Sequence, residues 1–107
     1  MRVLSLITCL VAIAASSCGQ TQKKTTSKGT IGVSVLTMTN PFFKVIGDNI
    51  TKEARKHGYD VKVVSGDFDI AKQQNQVREF LVQKVAAIVL CPCDSRAIGS
   101  VIEEANV

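Results

Sequence analysis

Two short runs without a charged residue constrain the fold of this 107-residue chain more than any other feature. They are Ile31 to Leu36 (IGVSVL) and Val85 to Leu90 (VAAIVL). The first run is typical of a strand that is buried on both faces of a parallel sheet, and the second predicts a further uncharged strand. A third short run, Tyr59 to Ser65 (YDVKVVS), lies between them and ends at Gly66-Asp67, so the pattern predicts three strands.

The segment between the first two strands has the pattern of an amphipathic helix. Asn40-Pro41 combines an N-cap residue with proline at the first helical position, and Gly58 ends the pattern. Apolar residues repeat between them at helical spacing: Phe43, Ile46, Ile50 and Ala54. These signals predict a helix over roughly 41 to 57.

Each of the later strands is also followed by a predicted helix, capped by Asp69 in one case and by Asp94 or Ser95 in the other. The second helix is expected to run to about Lys84. Its apolar stripe is Ile70, Val77, Phe80 and Leu81, and its water-facing side is Lys72, Gln73, Gln76 and Glu79. The third helix turns these residues inward: Ile98, Val101, Ile102 and Ala105. Alternating strands and helices with short connections predict an α/β fold with an open, doubly wound parallel sheet.

The first 17 residues have the layout of a secretory signal peptide. Met1-Arg2 supplies a positive start, Val3 to Ala14 (VLSLITCLVAIA) is apolar, and Ala15-Ser16-Ser17 is a small-residue exit. A membrane-spanning helix needs about 20 apolar residues, and this run is shorter. We therefore expect residues 1–17 to be removed.

Cys18 follows the small residues directly, and Ala15 to Cys18 resembles the bacterial lipobox. The resemblance implies that the Cys18 thiol is diacylated and becomes the mature N-terminus, so that a lipid holds the protein on the membrane. The lipobox family prefers Leu where this chain has Ala15, and simple cleavage that releases a free secreted protein is the alternative. Residues 18–30 are polar and rich in Thr, Lys and Gln, which is typical of a flexible tether.

The net charge of +4 lies outside the predicted folded part. Arg2, Lys23, Lys24 and Lys28 belong to the leader and tether, whereas from Ile31 onward nine basic residues face nine acidic ones. Without a basic stripe interleaved with aromatic residues, a nucleic-acid partner is not expected.

The folded part holds two cysteines, in Cys91-Pro92-Cys93. One intervening residue is too few for an unstrained disulfide, and His57 is the only histidine available to complete a metal site. His57 also lies at the wrong end of the first helix to join a catalytic set. We expect no metal, no cofactor and no enzymatic activity. A small secreted flavodoxin-like enzyme or thiol protein remains the alternative.

Ligands of open parallel sheets bind beyond the carboxyl ends of the strands. The first of these turns has no dinucleotide or P-loop motif but carries Asn40, Phe42 and Phe43. An amide that both donates and accepts, beside flat apolar rings, suits a sugar ring. Helix capping by Asn40 and core packing of the two rings is the alternative, and Asp67 and Asp94 can equally be caps.

The order and spacing of several motifs resemble the type I periplasmic sugar-binding proteins of the ribose-binding-like group. The motifs are T-N-P-F-F, K-H-G-Y, V-K-V-V, A-K-Q-Q and A-I-V-L-C-P-C-D-S-R-A-I, which together extend over residues 31–107. The resemblance implies a receptor of the periplasm or cell surface that closes two lobes around a sugar and delivers it to an ABC importer or a sensor. It also implies strand order 2-1-3.

The same resemblance implies which residues bind the solute. Asn40 would bond a sugar hydroxyl, Phe42 and Phe43 would contact the ring, and Asp94 would be a weaker second contact. Cys91 and Cys93 replace the usual polar or small residues, so the sugar's identity is open. Members of this family are much longer than this chain, and we therefore expect residues 31–107 to be the N-terminal part of the first lobe.

Overall fold

The computed structural model describes residues 26–107. The predicted signal peptide at 1–17, the lipidation site at Cys18 and the tether as far as residue 25 lie outside the described residues. Among the helices of residues 26–107, none combines the length and the apolar character needed to cross a membrane.

Strands and helices alternate along the described residues, as the sequence predicts. In chain order they are β1 (Thr30–Val35), α1 (Pro41–Lys56), β2 (Asp60–Ser65), α2 (Ile70–Val82), β3 (Ala87–Leu90) and α3 (Gly99–Ala105). The strands form one parallel sheet in the order β2-β1-β3, with Val33 opposite both Val63 and Val89. The predicted α/β class and strand order are therefore confirmed.

Helices cover both faces of the sheet, and two glycines allow the close approach. On one face α1 packs on β2, where a side chain at Gly47 would lie 3.0 Å from Val63. On the other face the ring of Phe80 from α2 lies over Gly32. Since Val63 is in register with Val33 and successive residues of a strand point to opposite faces, α1 and α2 lie on opposite sides.

The apolar core is divided between these two layers. Val33 and Val35 are fully buried on the α1 side. On the other side a cluster joins α2, α3 and β3, and its members are Val77, Ile98, Val101, Ile88 and Leu90.

Replacing Gly32 by alanine is expected to destabilise the protein by about 1–3 kcal/mol, because a buried methyl group added there overpacks the core. The new Cβ would lie 2.6 Å from the Phe80 ring, whose neighbours leave it little room to move. Thermal denaturation measures the loss. Gly99→Ala is the matched control, since an added Cβ there meets nothing within 4 Å, and a Gly32→Ala protein as stable as wild type would contradict this packing.

The predicted polar face of α2 is wrong at its first turns. Gln73 was expected to face water but is fully buried, and Gln76 is half-buried, whereas Ile70 from the predicted apolar stripe is exposed. The reason is that the first turns of α2 lie over the polar ends of the strands rather than over the apolar middle of the sheet.

α1 packs on β2 and β1 and leaves one face of β3 open, so Ala87 and Val89 are exposed. One further expectation needs correction. The third helix begins at Gly99 rather than directly after Asp94, which instead caps a turn over residues 95–98.

Candidate functional site

The turns that follow the three strands meet at one edge of the sheet, which we call the carboxyl edge. Gly66 N donates to Val35 O at 2.8 Å and Phe68 N donates to Leu36 O at 3.2 Å. Met38 N donates to Ser65 Oγ at 3.1 Å. The turn after β1 (36–40) therefore lies directly against the turn after β2 (66–69).

The turn after β3 joins the same edge through Cys93. Its Sγ lies 4.0 Å from Leu36 O, and a Cβ added to Gly66 would lie 2.8 Å from that sulfur. Because Gly66 has no side chain, the turn after β3 can pack directly against the turn after β2.

Asn40 caps α1 and still presents a free donor. Its Oδ1 accepts from Phe42 N at 3.0 Å, while its Nδ2 makes no hydrogen bond within residues 26–107. The side chain is exposed. The two interpretations drawn from the sequence are therefore compatible, since one end of the amide caps the helix and the other faces solvent.

The two phenylalanines have different surroundings. Phe42 is 64% exposed, which rules out core packing for its ring, whereas Phe43 is half-buried. Their centroids are 5.3 Å apart with the rings at 78°, an edge-to-face pair. Phe43 thus contacts the ring of Phe42, and most of the Phe42 side chain is open to solvent at the start of α1.

Asp94 lies in the turn after β3, and one of its carboxylate oxygens is used for hydrogen bonds within that turn. Its Oδ1 accepts from Arg96 N at 2.8 Å and from Ala97 N at 2.7 Å. These two backbone donors, Ala97 first, lower the pKa of the exposed carboxyl group. Oδ2 takes part in no hydrogen bond within the described part of the chain, so the carboxylate keeps one free acceptor.

The sequence did not reveal the shape of the turn after β2. Asp67 and Phe68 both have positive φ angles, 52° and 60°, which is uncommon for residues other than glycine. Asp67 is held by Ser65 Oγ and Lys72 Nζ, and these hydrogen bonds, that of Lys72 first, lower its pKa. As a result, the Phe68 side chain is 67% exposed. In the sequence, the Gly66-Asp67 pair was the only signal of a turn at this place.

A buried polar cluster beneath the carboxyl edge was also missed. Ser34, Gln73 and Gln76 form it, and we call it the glutamine cluster. Gln73 Nε2 donates to Ser34 Oγ at 3.1 Å and to Cys91 O at 3.0 Å, and Gln73 Oε1 accepts from Cys93 N at 2.7 Å. The cluster ties α2 to the ends of the strands.

The two cysteines are free thiols, and both are partly buried. Burial raises the pKa of the Cys93 thiol, which disfavours the reactive thiolate. Within residues 26–107, no group of three or more His, Cys, Asp or Glu side chains is placed to hold a metal ion.

Comparison with known protein families identifies the family of this chain. Residues 31–106 match the family described as periplasmic binding protein domain. The chain belongs to the periplasmic binding protein family. The predicted resemblance is therefore confirmed over nearly the whole described segment.

Three relatives show how this periplasmic binding protein compares with known ones. It is 43% identical over 77 residues to the ribose import binding protein of Bacillus subtilis, covering 72% of this chain and 25% of that protein. It is 32% identical over 106 residues to the ribose import binding protein of Escherichia coli, covering 99% and 35% respectively. A solved ABC transporter solute-binding protein from Mycobacterium smegmatis with bound glycerol superposes with a TM-score of 0.68, at 26% identity, over 73% of this chain and 27% of the other.

These coverages also show the extent of the match. The chain spans about a quarter to a third of the length of the relatives it matches. The strands and helices of residues 26–107 are therefore a partial domain of the family's two-lobe architecture.

Proposed function

We propose that this chain is part of an extracytoplasmic receptor that binds a sugar or sugar-like solute and delivers it to an ABC importer or a sensor. The carboxyl edge forms one wall of the solute site. In this role the protein is not an enzyme, needs no cofactor or metal, and has no nucleic-acid partner.

One observation carries the proposal: Asn40 with its free Nδ2 and the largely exposed Phe42 lie two residues apart at the carboxyl edge. A monosaccharide has hydroxyl groups at its rim and C–H groups on its faces, so it needs both hydrogen-bonding groups and a flat apolar surface. The names of the matched relatives, ribose import binding proteins, support the same class of solute.

Phe43 and Asp94 have supporting roles in this proposal. Phe43 fixes the Phe42 ring by its edge-to-face contact. Asp94 offers Oδ2 to a hydroxyl from the turn after β3, while Oδ1 maintains the turn. No observation on residues 26–107 favours the alternative drawn from the sequence, a small secreted flavodoxin-like enzyme or thiol protein.

A fluorescence-monitored melt of the full-length protein with a panel of monosaccharides tests the proposed function. Ligand present at about a hundred times its Kd stabilises the native state by about 2.7 kcal/mol, which raises Tm by several degrees. We expect at least one pentose or hexose to do so, with amino acids and inorganic phosphate as negative controls. A panel in which no sugar raises Tm would contradict the proposal.

We further propose that residues 1–17 are a signal peptide, that Cys18 carries a lipid, and that residues 18–30 tether the domain to the membrane. The apolar leader, the small residues before Cys18 and the polar segment after it support this arrangement. The receptor would then lie in the periplasm or at the cell surface.

Cys18→Ser is expected to abolish membrane anchoring completely, because serine lacks the thiol that accepts the diacylglycerol. The measurement is mass spectrometry of the mature N-terminus together with detergent phase partitioning. Cys9→Ser is the matched control, since Cys9 lies in the leader that is removed. A wild-type mature protein that begins at a residue other than a diacylated Cys18 would show that the protein is not lipid-anchored.

A further inference from the structure

The side-chain amide of Gln73 takes the place of a backbone peptide at the end of β3. The last backbone bond between β1 and β3 runs from Cys91 N to Ser34 O, at 2.8 Å. In a parallel ladder the next groups of this strand that face β1 are Cys91 O and Cys93 N, and neither bonds to the backbone of β1, whose Leu36 O accepts from Phe68 N. Gln73 continues it instead, donating to Cys91 O and accepting from Cys93 N on either side of the proline.

The other two members of the glutamine cluster extend this connection to the remaining strands. Ser34 Oγ accepts from Gln73 Nε2 and donates to Gln76 Oε1 at 2.9 Å. Gln76 Nε2 donates to Ser65 O at 2.8 Å, at the end of β2. Through three polar side chains, α2 is therefore hydrogen-bonded to the carboxyl ends of all three strands.

Cys93 contacts both neighbouring turns, including the turn that carries Asn40. Cys93 packs against Gly66, and its sulfur lies beside the carbonyl oxygen of Leu36, where the turn after β1 begins. A displacement of Cys93 would therefore press on both neighbouring turns.

We propose that Gln73 is a positioning residue for solute binding, which holds the turn after β3 so that Asn40, Phe42 and Asp94 keep one arrangement at the carboxyl edge. This inference rests on the proposed function. Gln73 itself is fully buried and does not touch the solute. It acts by fixing the Cys91–Asp94 turn, whose backbone groups on either side of Pro92 it satisfies.

The first test compares two substitutions on the buried face of α2 in the full-length protein. Gln73→Leu removes all three of its side-chain hydrogen bonds. Val77→Ala is the control, because Val77 is equally buried one turn further along but packs on Ile98 and Val101, and its side chain makes no hydrogen bond to the Cys91–Asp94 turn. Both are expected to lower Tm.

The solute affinity separates the two variants. At a temperature where both are folded, Gln73→Leu is expected to weaken the binding of the best monosaccharide by about tenfold or more, and Val77→Ala by less than about twofold. Equal affinity of Gln73→Leu and wild type would overturn the positioning role alone. Wild-type protein that binds no sugar would overturn the proposed function as well.

Gln73→Glu provides a second test that does not depend on the leucine variant folding. A protonated carboxyl group can donate to Cys91 O and accept from Cys93 N as the amide does, whereas an ionised one loses the donor and faces a carbonyl oxygen. Lowering the pH should therefore restore affinity in Gln73→Glu by about tenfold, while wild type and Val77→Ala respond much less. A Gln73→Glu protein whose affinity tracks that of wild type at every pH would contradict the inference.

Discussion

Phe42→Ala in the full-length protein is expected to weaken monosaccharide binding by about ten- to a hundredfold, equivalent to about 1–3 kcal/mol. The Phe42 ring is 64% exposed at the carboxyl edge, so its removal leaves no cavity in the core and should change stability little. Isothermal titration calorimetry measures the loss. Val82→Ala is the control, since that side chain is equally apolar and 82% exposed at the far end of α2.

Asn40 allows a sharper version of the same experiment. Asn40→Asp keeps an oxygen that caps α1 through Phe42 N but loses the Nδ2 donor, so it separates helix capping from solute binding. We expect unchanged thermal stability and a comparable loss of affinity. Unchanged affinity in both Phe42→Ala and Asn40→Asp would show that the solute binds elsewhere.

The segment 31–107 expressed alone is expected to bind sugar no better than about millimolar, far below the affinity expected of a site that buries its ligand on all sides. Asn40 and Phe42 supply only one wall. The segment should also associate with itself, because the open face of β3 exposes Ala87 and Val89 and its outer edge has unpaired backbone groups.

Size-exclusion chromatography with light scattering and calorimetry measure both properties of this segment. Val89→Lys should reduce the self-association, since a charge on an open strand opposes edge pairing. A monomeric segment that melts cooperatively and binds a monosaccharide at micromolar concentration would contradict the view that the site needs a second wall.

The sequence was sufficient to predict the fold where local composition decides the structure. β1 is uncharged because both of its faces are covered, and Asn40-Pro41 starts α1 because a capping oxygen and a fixed φ angle both favour a helix at that point. The predicted α/β class, the strand order and the first helix followed from such local signals and from the family resemblance.

The glutamine cluster could not be predicted in this way, because its partners are distant in sequence. Gln73 is buried by groups at Ser34 and Cys91, which are 39 and 18 residues away. A helical periodicity assigns glutamine to the polar face and contains no information about a strand end whose backbone groups bond to a side-chain amide instead of a neighbouring strand.

The candidate site was predicted in part. Asn40 and Phe42 are exposed at the carboxyl edge as the ligand interpretation requires, and their contact with a solute stays a prediction. Phe68 escaped notice because its exposure results from two consecutive positive φ angles, for which Asp-Phe carries no sequence signal. Asp94 was expected to start α3, but its hydrogen bonds stop at Ala97 and the helix begins only at Gly99.

A crystal structure of the full-length protein with its best monosaccharide tests the central claim most directly. We expect the sugar's C–H face to lie about 4 Å from the Phe42 ring and a hydroxyl oxygen to lie about 3 Å from Asn40 Nδ2. A sugar bound away from the carboxyl edge, with Asn40 and Phe42 still facing solvent, would contradict the account.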